Sequence, residues 1–325
     1  MKSIRWGIIG LGKIAHKFAS DLLLIEDCNL IAVGSSDTNR AKKFANKYNV
    51  RESFGSYMTF FDNAKVDIVY VASLNPNHME LTIASLNSGI AVLCEKPLAL
   101  NSIQVNAMIS KAKEKELFLM EALWTRFNPV FEQSLNWINQ GLLGKLRYIN
   151  ASFSFYGLDK GDKSRLFDLK KGGGTLLDIG IYPLFLAYKL LGMPNDIKVC
   201  GRLTKGGVDE QLAIILDFDN ALALLYSSFA HNEDMRATIA GEDGEIYIDS
   251  RWHESSNIAL VKNKEKESKN FDFIGVGYSY EIIEANNCLR EGKLESSKWS
   301  HKNTTDLMLL MDAIRKEIGV VYPNE

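Results

Sequence analysis

Cysteine is scarce in this sequence. The four present, Cys28, Cys94, Cys200 and Cys288, lie far apart. No CxxC pair and no Cys/His cluster suggests zinc, so no metal is expected. The scattered thiols read as reduced side chains of a cytoplasmic protein. A basic excess is lacking too: the formal net charge is −2, and nothing argues for nucleic acid or an anionic membrane as partner. No segment approaches the roughly 18 uninterrupted apolar residues of a membrane span. The opening stretch, MKSIRWGIIGLGKIAHKF, carries early positive charge, but its apolar run is short and broken by glycines, unlike a signal peptide. Repeats and low-complexity segments are not seen.

What is there is ordinary globular composition, 46% hydrophobic and 24% charged, in 325 residues. That length exceeds what one core usually takes and predicts two domains. Residues 4–121 alternate short apolar runs (IRWGIIG, NLIAVGSS, VDIVYVAS, IAVLCEK, LFLMEAL) with helix-like stretches at 12–25, 38–47, 77–88 and 101–115. Strand alternating with helix implies a parallel, doubly covered α/β sheet of Rossmann type. After residue 121 the rhythm changes. Helical patterns at 128–140 and 178–191 come first. The strand candidates KLRYINASFSF, IKVCGRLT, QLAIILDF, ALALLYSSF, RATIAG and EIYID then follow without long helices between them, and helices at 278–292 and 303–318 close the chain. A turn is expected at Asp219–Asn220. The second domain, 122–325, is therefore expected to be α+β, with a large, open, mostly antiparallel sheet. Helices would cover one face, and the other leaves apolar side chains such as those of ALALLYSSF for a homodimer contact. The charged run 262–269, KNKEKESK, reads as a solvated loop.

Chemistry begins at WGIIGLGKIA. Gly10, Gly12 and Ala15 fit G-x-G-x-x-G/A, directly after the first strand and opening a helix. The first glycine makes the tight turn, the second admits a pyrophosphate, and the small third residue lets helix and strand pack closely. The free N–H groups of the helix start stabilise phosphate charge. Gly10, Gly12, Lys13 and Ile14 are thus candidate cofactor residues. The second strand ends in VGSSDTNR. Small hydroxyls with Arg40 suit a 2′-phosphate, which points to NADP through Ser36 and Arg40. Asp37 either caps the following helix or takes the ribose hydroxyls, which would favour NAD.

Ligands of open α/β sheets bind beyond the carboxyl ends of the strands. Ser73, Asn75 and His78 sit at one such end and Glu95–Lys96–Pro97 at another. Neighbouring strand residues point to opposite faces, so Glu95 and Lys96 are not expected to pair with each other. A second constellation is GGGTLLDIGIYPL, 172–184. Its glycines permit unusual backbone geometry or a close approach to a ligand. Asp178 is placed to cap a helix, with Tyr182 one turn further on, either functional or a half-buried core tyrosine.

Together GIIGLGKIA, NPNH, CEKPLALN and GGGTLLDIGIY resemble the Gfo/Idh/MocA oxidoreductases. Within that family, MEALWTRFNP followed by LLDIGIY is similar to the branch of dimeric dihydrodiol dehydrogenases and NADP-dependent xylose dehydrogenases. The resemblance implies that Lys96 contacts substrate and nicotinamide ribose, that Tyr182 stands where many members carry a histidine acid/base, and that His78 lines the nicotinamide side. It also implies a cis Lys96–Pro97 bond. At the cofactor end the chain departs from the pattern, with Ser36 where NADP-using relatives often have arginine.

The expected reaction is dehydrogenation of a sugar or cyclic diol hydroxyl. A free tyrosine titrates near 10, and a neighbouring cation lowers that by roughly 1–3 units, which makes Lys96 the partner for Tyr182 as base. Asp178 would orient Lys96 or the substrate. Glu95 and Arg126 join the cofactor set. Trp124 and Phe155 wall the substrate pocket or pack the core. A non-catalytic dinucleotide sensor would lack the Lys96 and Tyr182 pair, and a hydrolase or lyase using NAD transiently would show no net cofactor reduction.

Overall fold

The computed structural model describes residues 3–161 and 163–323. Contacts divide the chain into two units, 1–127 with 273–305, and 128–272 with 306–325.

In the first unit the strands are β1 (Ile4–Ile9), β2 (Cys28–Gly34), β3 (Glu52–Phe54), β4 (Ile68–Val71), β5 (Ala91–Glu95) and β6 (Leu119–Ala122). Between them run α1 (Lys13–Leu22), α2 (Thr38–Tyr48), α3 (Tyr57–Asn63), α4 (His78–Asn87) and α5 (Ser102–Lys115). Every pairing is parallel and the order is β3-β2-β1-β4-β5-β6. That order reverses between β1 and β4, where a doubly wound sheet binds its ligand. Strands β4, β5 and β6 are buried at every position, which is why they read as unbroken apolar runs. Phe18 of α1 stacks on Tyr70 of β4 at 3.6 Å and tilts against Trp6 of β1 at 5.5 Å. Rings buried this completely contribute roughly 1.5–3 kcal/mol each.

The second unit carries α6 (Pro129–Asn139), β7 (Leu146–Ser154), α7 (Ile181–Leu191), β8 (Asp196–Leu203), β9 (Asp209–Phe218), β10 (Ala221–Ser228), β11 (Ala237–Gly241), β12 (Glu245–Ile248), β13 (Asn257–Lys262) and β14 (Glu265–Asn270). Among the described residues its sheet has eight strands in the order β14-β13-β12-β11-β7-β10-β9-β8. All pairings are antiparallel except β7 with β10. This is the expected large, mostly antiparallel sheet, and α7 packs on its β7 and β10. The turn at Asp219–Asn220 is where it was expected, with Phe218 paired to Ala221. Residues Leu169–Leu191 have the length and apolarity of a membrane span, but 78% of an apolar 18-residue stretch within them is buried inside the protein.

Two expectations need correction. The run 262–269 is not a loop: β13 turns at Asn263 and Lys264, both at positive φ (52° and 67°), and returns as β14. Such a left-handed pair matches the twist of a hairpin. β14 is an edge strand with charged side chains in solvent, so it lacks the apolar alternation that marks a strand and resists pairing with other chains. The domain division at 121/122 also shifts. Residues 273–305, with α8 (Ser279–Arg290), group with the first unit, and α9 (His301–Ile318) begins there before continuing among residues of the second. The cause is specific bonding. The Trp6 indole donates to Asn286 Oδ1 at 3.0 Å. Asp21, buried at the end of α1, accepts the backbone N–H groups of Val276, Tyr278 and Ser279 and so caps α8 from a distant element.

Candidate active site

The glycine turn is built as its spacing predicts. Gly10 has φ +84°, and a Cβ there would meet Ser73 N at 2.5 Å, so only glycine fits. Gly12 is the N-cap of α1, without a side-chain cap, and a Cβ on it would meet nothing within 4 Å. Ala15 is fully buried against the sheet. Uncapped N–H groups facing open space beside a wall of backbone suit a pyrophosphate. The residues therefore fit a dinucleotide, with exposed Lys13 and half-buried Ile14 following the turn. At the end of β2, Asp37 caps α2 by accepting Arg40 N at 2.7 Å. Ser36 and Arg40 are exposed. Tyr57 packs near both: burial raises its phenol, while Arg40 and Ser36 oppose the rise.

Beyond β5 the Lys96–Pro97 bond is cis, as the resemblance implies. The Glu95 side chain turns inward, where it accepts the Tyr70 hydroxyl and the Lys96 backbone N–H at 3.1 Å. Burial pushes Glu95 up and Tyr70 well up, which keeps the phenol protonated as donor. Glu281 of α8, wholly buried behind them, is pushed up by burial and then by Glu95 and Asp21. Glu95 is thus a support under Lys96 and does not present its carboxylate to a cofactor. Lys96 itself is half-buried.

His78 departs from expectation in the same way. It is fully buried, and its ring nitrogens face the carbonyls of Pro97 at 2.9 Å and Ser73 at 3.1 Å. Burial lowers its pKa, so the ring is neutral near pH 7 and donates to one of the two. It ties together two strand-end turns instead of lining a cleft. Ser73 and Asn75 are half-buried beside it. Glu121, which the sequence reading missed, works alongside. Its buried carboxylate accepts Leu98 N, the Trp299 indole and the Thr304 hydroxyl, each at 2.9 Å, and so fixes the turn after Pro97. Its only signal was one acid inside the apolar run LFLMEAL.

Trp124 and Arg126 lie on a short 3-10 turn, Trp124–Phe127, and both are buried. Trp124 stacks on Tyr278 at 5.1 Å, and a Cβ on Gly277 would meet its ring at 2.8 Å. The Arg126 guanidinium donates from Nε to the Lys298 carbonyl at 3.0 Å, which anchors it within its own unit.

In the second unit the glycine run resolves as close backbone packing. A Cβ on Gly174 would collide with Asp209 Oδ1, and the Gly173 carbonyl accepts the Tyr322 hydroxyl at 2.7 Å. Asp209 Oδ2 accepts both Thr175 Oγ1 at 2.8 Å and Leu176 N at 2.7 Å. It therefore holds the start of the helical segment that reaches Tyr182, and burial pushes its carboxyl up to about 6. Asp178 is not a cap: it lies inside a π-helical turn, Leu176–Gly180, and pairs with Arg165 at 3.1 Å. Tyr182, in the first turn of α7, is buried against Phe153 (5.5 Å) and His253 (5.3 Å). Phe155 is half-buried and tilted against Phe229 at 5.1 Å, with Lys160 Nζ 4.7 Å from the centre of its ring. Among the described residues no three His, Cys, Asp or Glu side chains gather as a metal site.

Residues 4–123 match the oxidoreductase family with an NAD-binding Rossmann fold, and residues 131–247 match the GFO/IDH/MocA C-terminal domain. The chain belongs to the Gfo/Idh/MocA oxidoreductase family. Curated relatives of this oxidoreductase include trans-1,2-dihydrobenzene-1,2-diol dehydrogenase of Mus musculus, 32% identical over 99% of both chains. The enzyme of the same name from Xenopus laevis is 34% identical over 98% of this chain and 99% of the relative. Solved structures share the fold. An aldose-aldose oxidoreductase from Caulobacter crescentus, complexed with glycerol, has TM-score 0.88 and 24% identity over 98% of both chains. The 3-ketoreductase KijD10 from Actinomadura kijaniata, in complex with NADP and TDP-benzene, has TM-score 0.85 and 23% identity over 97% of this chain and 98% of that one. The Gfo/Idh/MocA oxidoreductase described here is an NAD(P)-dependent dehydrogenase, and its first unit carries the dinucleotide cradle.

Proposed function

We propose that the enzyme oxidises a secondary hydroxyl of a sugar or cyclic diol, with NADP as acceptor. The observation that carries the reading is full-length similarity to dihydrodiol dehydrogenases in a chain that has both Lys96 and Tyr182. When bound, the nicotinamide supplies hydride acceptance. The chain's own residues handle the proton. Tyr182 takes it from the substrate hydroxyl as the C–H bond gives up its hydride and the carbonyl forms. Lys96 supplies the positive charge that favours the phenolate, and Asp178, held by Arg165, orients the hydroxyl. Preference for NADP is supported by exposed Ser36 and Arg40 and by Asp37, which caps α2.

A second copy of the chain covers the open sheet face in this reading. Leu222 (46% exposed) and Leu224 (37%) on β10 and Ile215 (41%) on β9 leave apolar surface there. The unpaired cysteines support a cytoplasmic setting.

The test is a panel of aldoses and cyclic diols followed at the nicotinamide absorbance, with NADP and NAD in parallel. One class is expected to reduce NADP. Tyr182→Phe is expected to lower turnover about 100- to 10,000-fold with cofactor affinity nearly intact. Lys96→Met should fall comparably, and the double variant should be little worse than either single one. Substrate turnover without net cofactor reduction would reverse the assignment in favour of a hydrolase or lyase.

A further inference from the structure

His253 lies outside every motif of the sequence, yet the fold places it against the proton carrier. The residue is 3% exposed, and its ring stacks on Phe153 at 4.1 Å with a 27° interplanar angle. The same ring is 5.3 Å from that of Tyr182, and Phe153 is 5.5 Å from Tyr182, so the three rings form a closed triangle. His253 Nε2 is 3.9 Å from the Glu254 carboxylate, which Arg251 grips from its other side. The short turn that carries the ring, Trp252–Glu254, is itself held under strain. Arg251 (φ +55°) and Met235 (φ +48°) both adopt the left-handed region without being glycine. Hydrogen bonds hold the turn: Arg251 N donates to Asp234 O at 3.3 Å, Trp252 N to Met235 O at 3.0 Å, and the Trp252 indole to Ser152 O at 2.9 Å. Backbone strain of this kind persists where the surroundings over-determine it, and it concentrates at functional sites.

We propose that His253 is a positioning residue for Tyr182: stacked on Phe153, it forms with that ring one backing wall that sets the direction of the phenol. The proposal rests on Tyr182 being the proton carrier. A phenol without such backing can swing about χ1 and χ2, and proton transfer needs heavy atoms within about 3 Å. The imidazole completes the backing that Phe153 begins, and its stack on Phe153 holds it there.

His253→Leu removes the flat wall while keeping an apolar side chain. Turnover is expected to fall about 10- to 100-fold, the range for a small misplacement of a reacting group, with the KM for cofactor unchanged. His253→Phe restores the flat surface and is expected to return kcat to within about threefold of wild type, again by positioning alone. A residue that only stabilises the fold would shift Tm and soluble yield without this split between the two variants. Should His253→Leu fail to fold, Phe153→Leu removes the other ring of the stacked pair and must produce the same fall in kcat. In a Tyr182→Phe background His253→Leu must add less than about a twofold loss, since the two act as one unit. Near-normal kcat in His253→Leu, or no recovery in His253→Phe, overturns the proposal while leaving the role of Tyr182 intact. Normal turnover in Tyr182→Phe alone overturns the reading beneath it.

Discussion

Replacing Asp209 by Asn isolates a charge that the fold holds at a cost. The carboxyl is fully buried, and burial pushes it up to about 6, against the pull of the Leu176 and Thr175 donors. A carboxyl that binds its proton more tightly in the folded state stabilises that state only while protonated. Its contribution is complete below the ordinary value of about 4 and is lost as pH rises through about 6. At about 1.4 kcal/mol per pH unit, the distance between the two values corresponds to roughly 3 kcal/mol. Asparagine can set an amide oxygen where Oδ2 accepts both donors, and it carries no charge at any pH. The stability of Asp209→Asn relative to wild type should therefore climb with pH, by about 2 kcal/mol between pH 4 and 7.5. Urea midpoints from tryptophan fluorescence, taken at several pH values for both proteins, measure the difference directly. Curves that run parallel across this window would refute the assignment of the titration to Asp209. Asp209→Ala behaves differently, because it strands two buried donors. It should destabilise at every pH by about 1–3 kcal/mol per donor.

Arg40→Ala should raise the KM for NADP with little change for NAD; equal effects on both would remove Arg40 from the 2′-phosphate. Leu222→Asp combined with Leu224→Asp should convert a dimer at micromolar concentration into a folded monomer by light scattering. A wild-type monomer under the same conditions would remove the interface. Glu121→Ala leaves Leu98 N, the Trp299 indole and the Thr304 hydroxyl without their acceptor, and should lower stability by about 3 kcal/mol or more in urea titration.

The parts of this molecule that were legible in its sequence are those whose cause is local. β4, β5 and β6 announce themselves because both faces are buried, and the Gly10 turn because one backbone angle admits one residue. Asp37 left two readings open, and only the hydrogen bond to Arg40 N chose the cap. What the sequence concealed depends on partners far along the chain. His78 looks like a ligand-facing histidine until its two carbonyls, at 73 and 97, are seen. Asp178 looks like a cap until Arg165 reaches it through irregular backbone, and Asp209 looks like an ordinary strand acid until Gly174 brings the helix start against it. His253 gave no signal, because its meaning lies in a stack with Phe153, a hundred positions earlier.

The return of residues 273–305 to the first unit has a consequence for how the chain can be divided. A fragment ending at 127 contains every strand of the parallel sheet and would pass for a self-sufficient nucleotide-binding module. It would nonetheless lack Asn286 for the Trp6 indole, the N–H groups that satisfy Asp21, and two of the three donors that satisfy Glu121. Its edge strand would also lose the carbonyl of Leu294 that Leu119 N reaches at 3.0 Å. During synthesis the first unit therefore waits, its last pieces still unmade, until the ribosome has passed through nearly the whole of the second. A circular permutant that begins at residue 273 would shorten that wait, because only residues 306–325 would then stand between the two pieces of the nucleotide-binding unit.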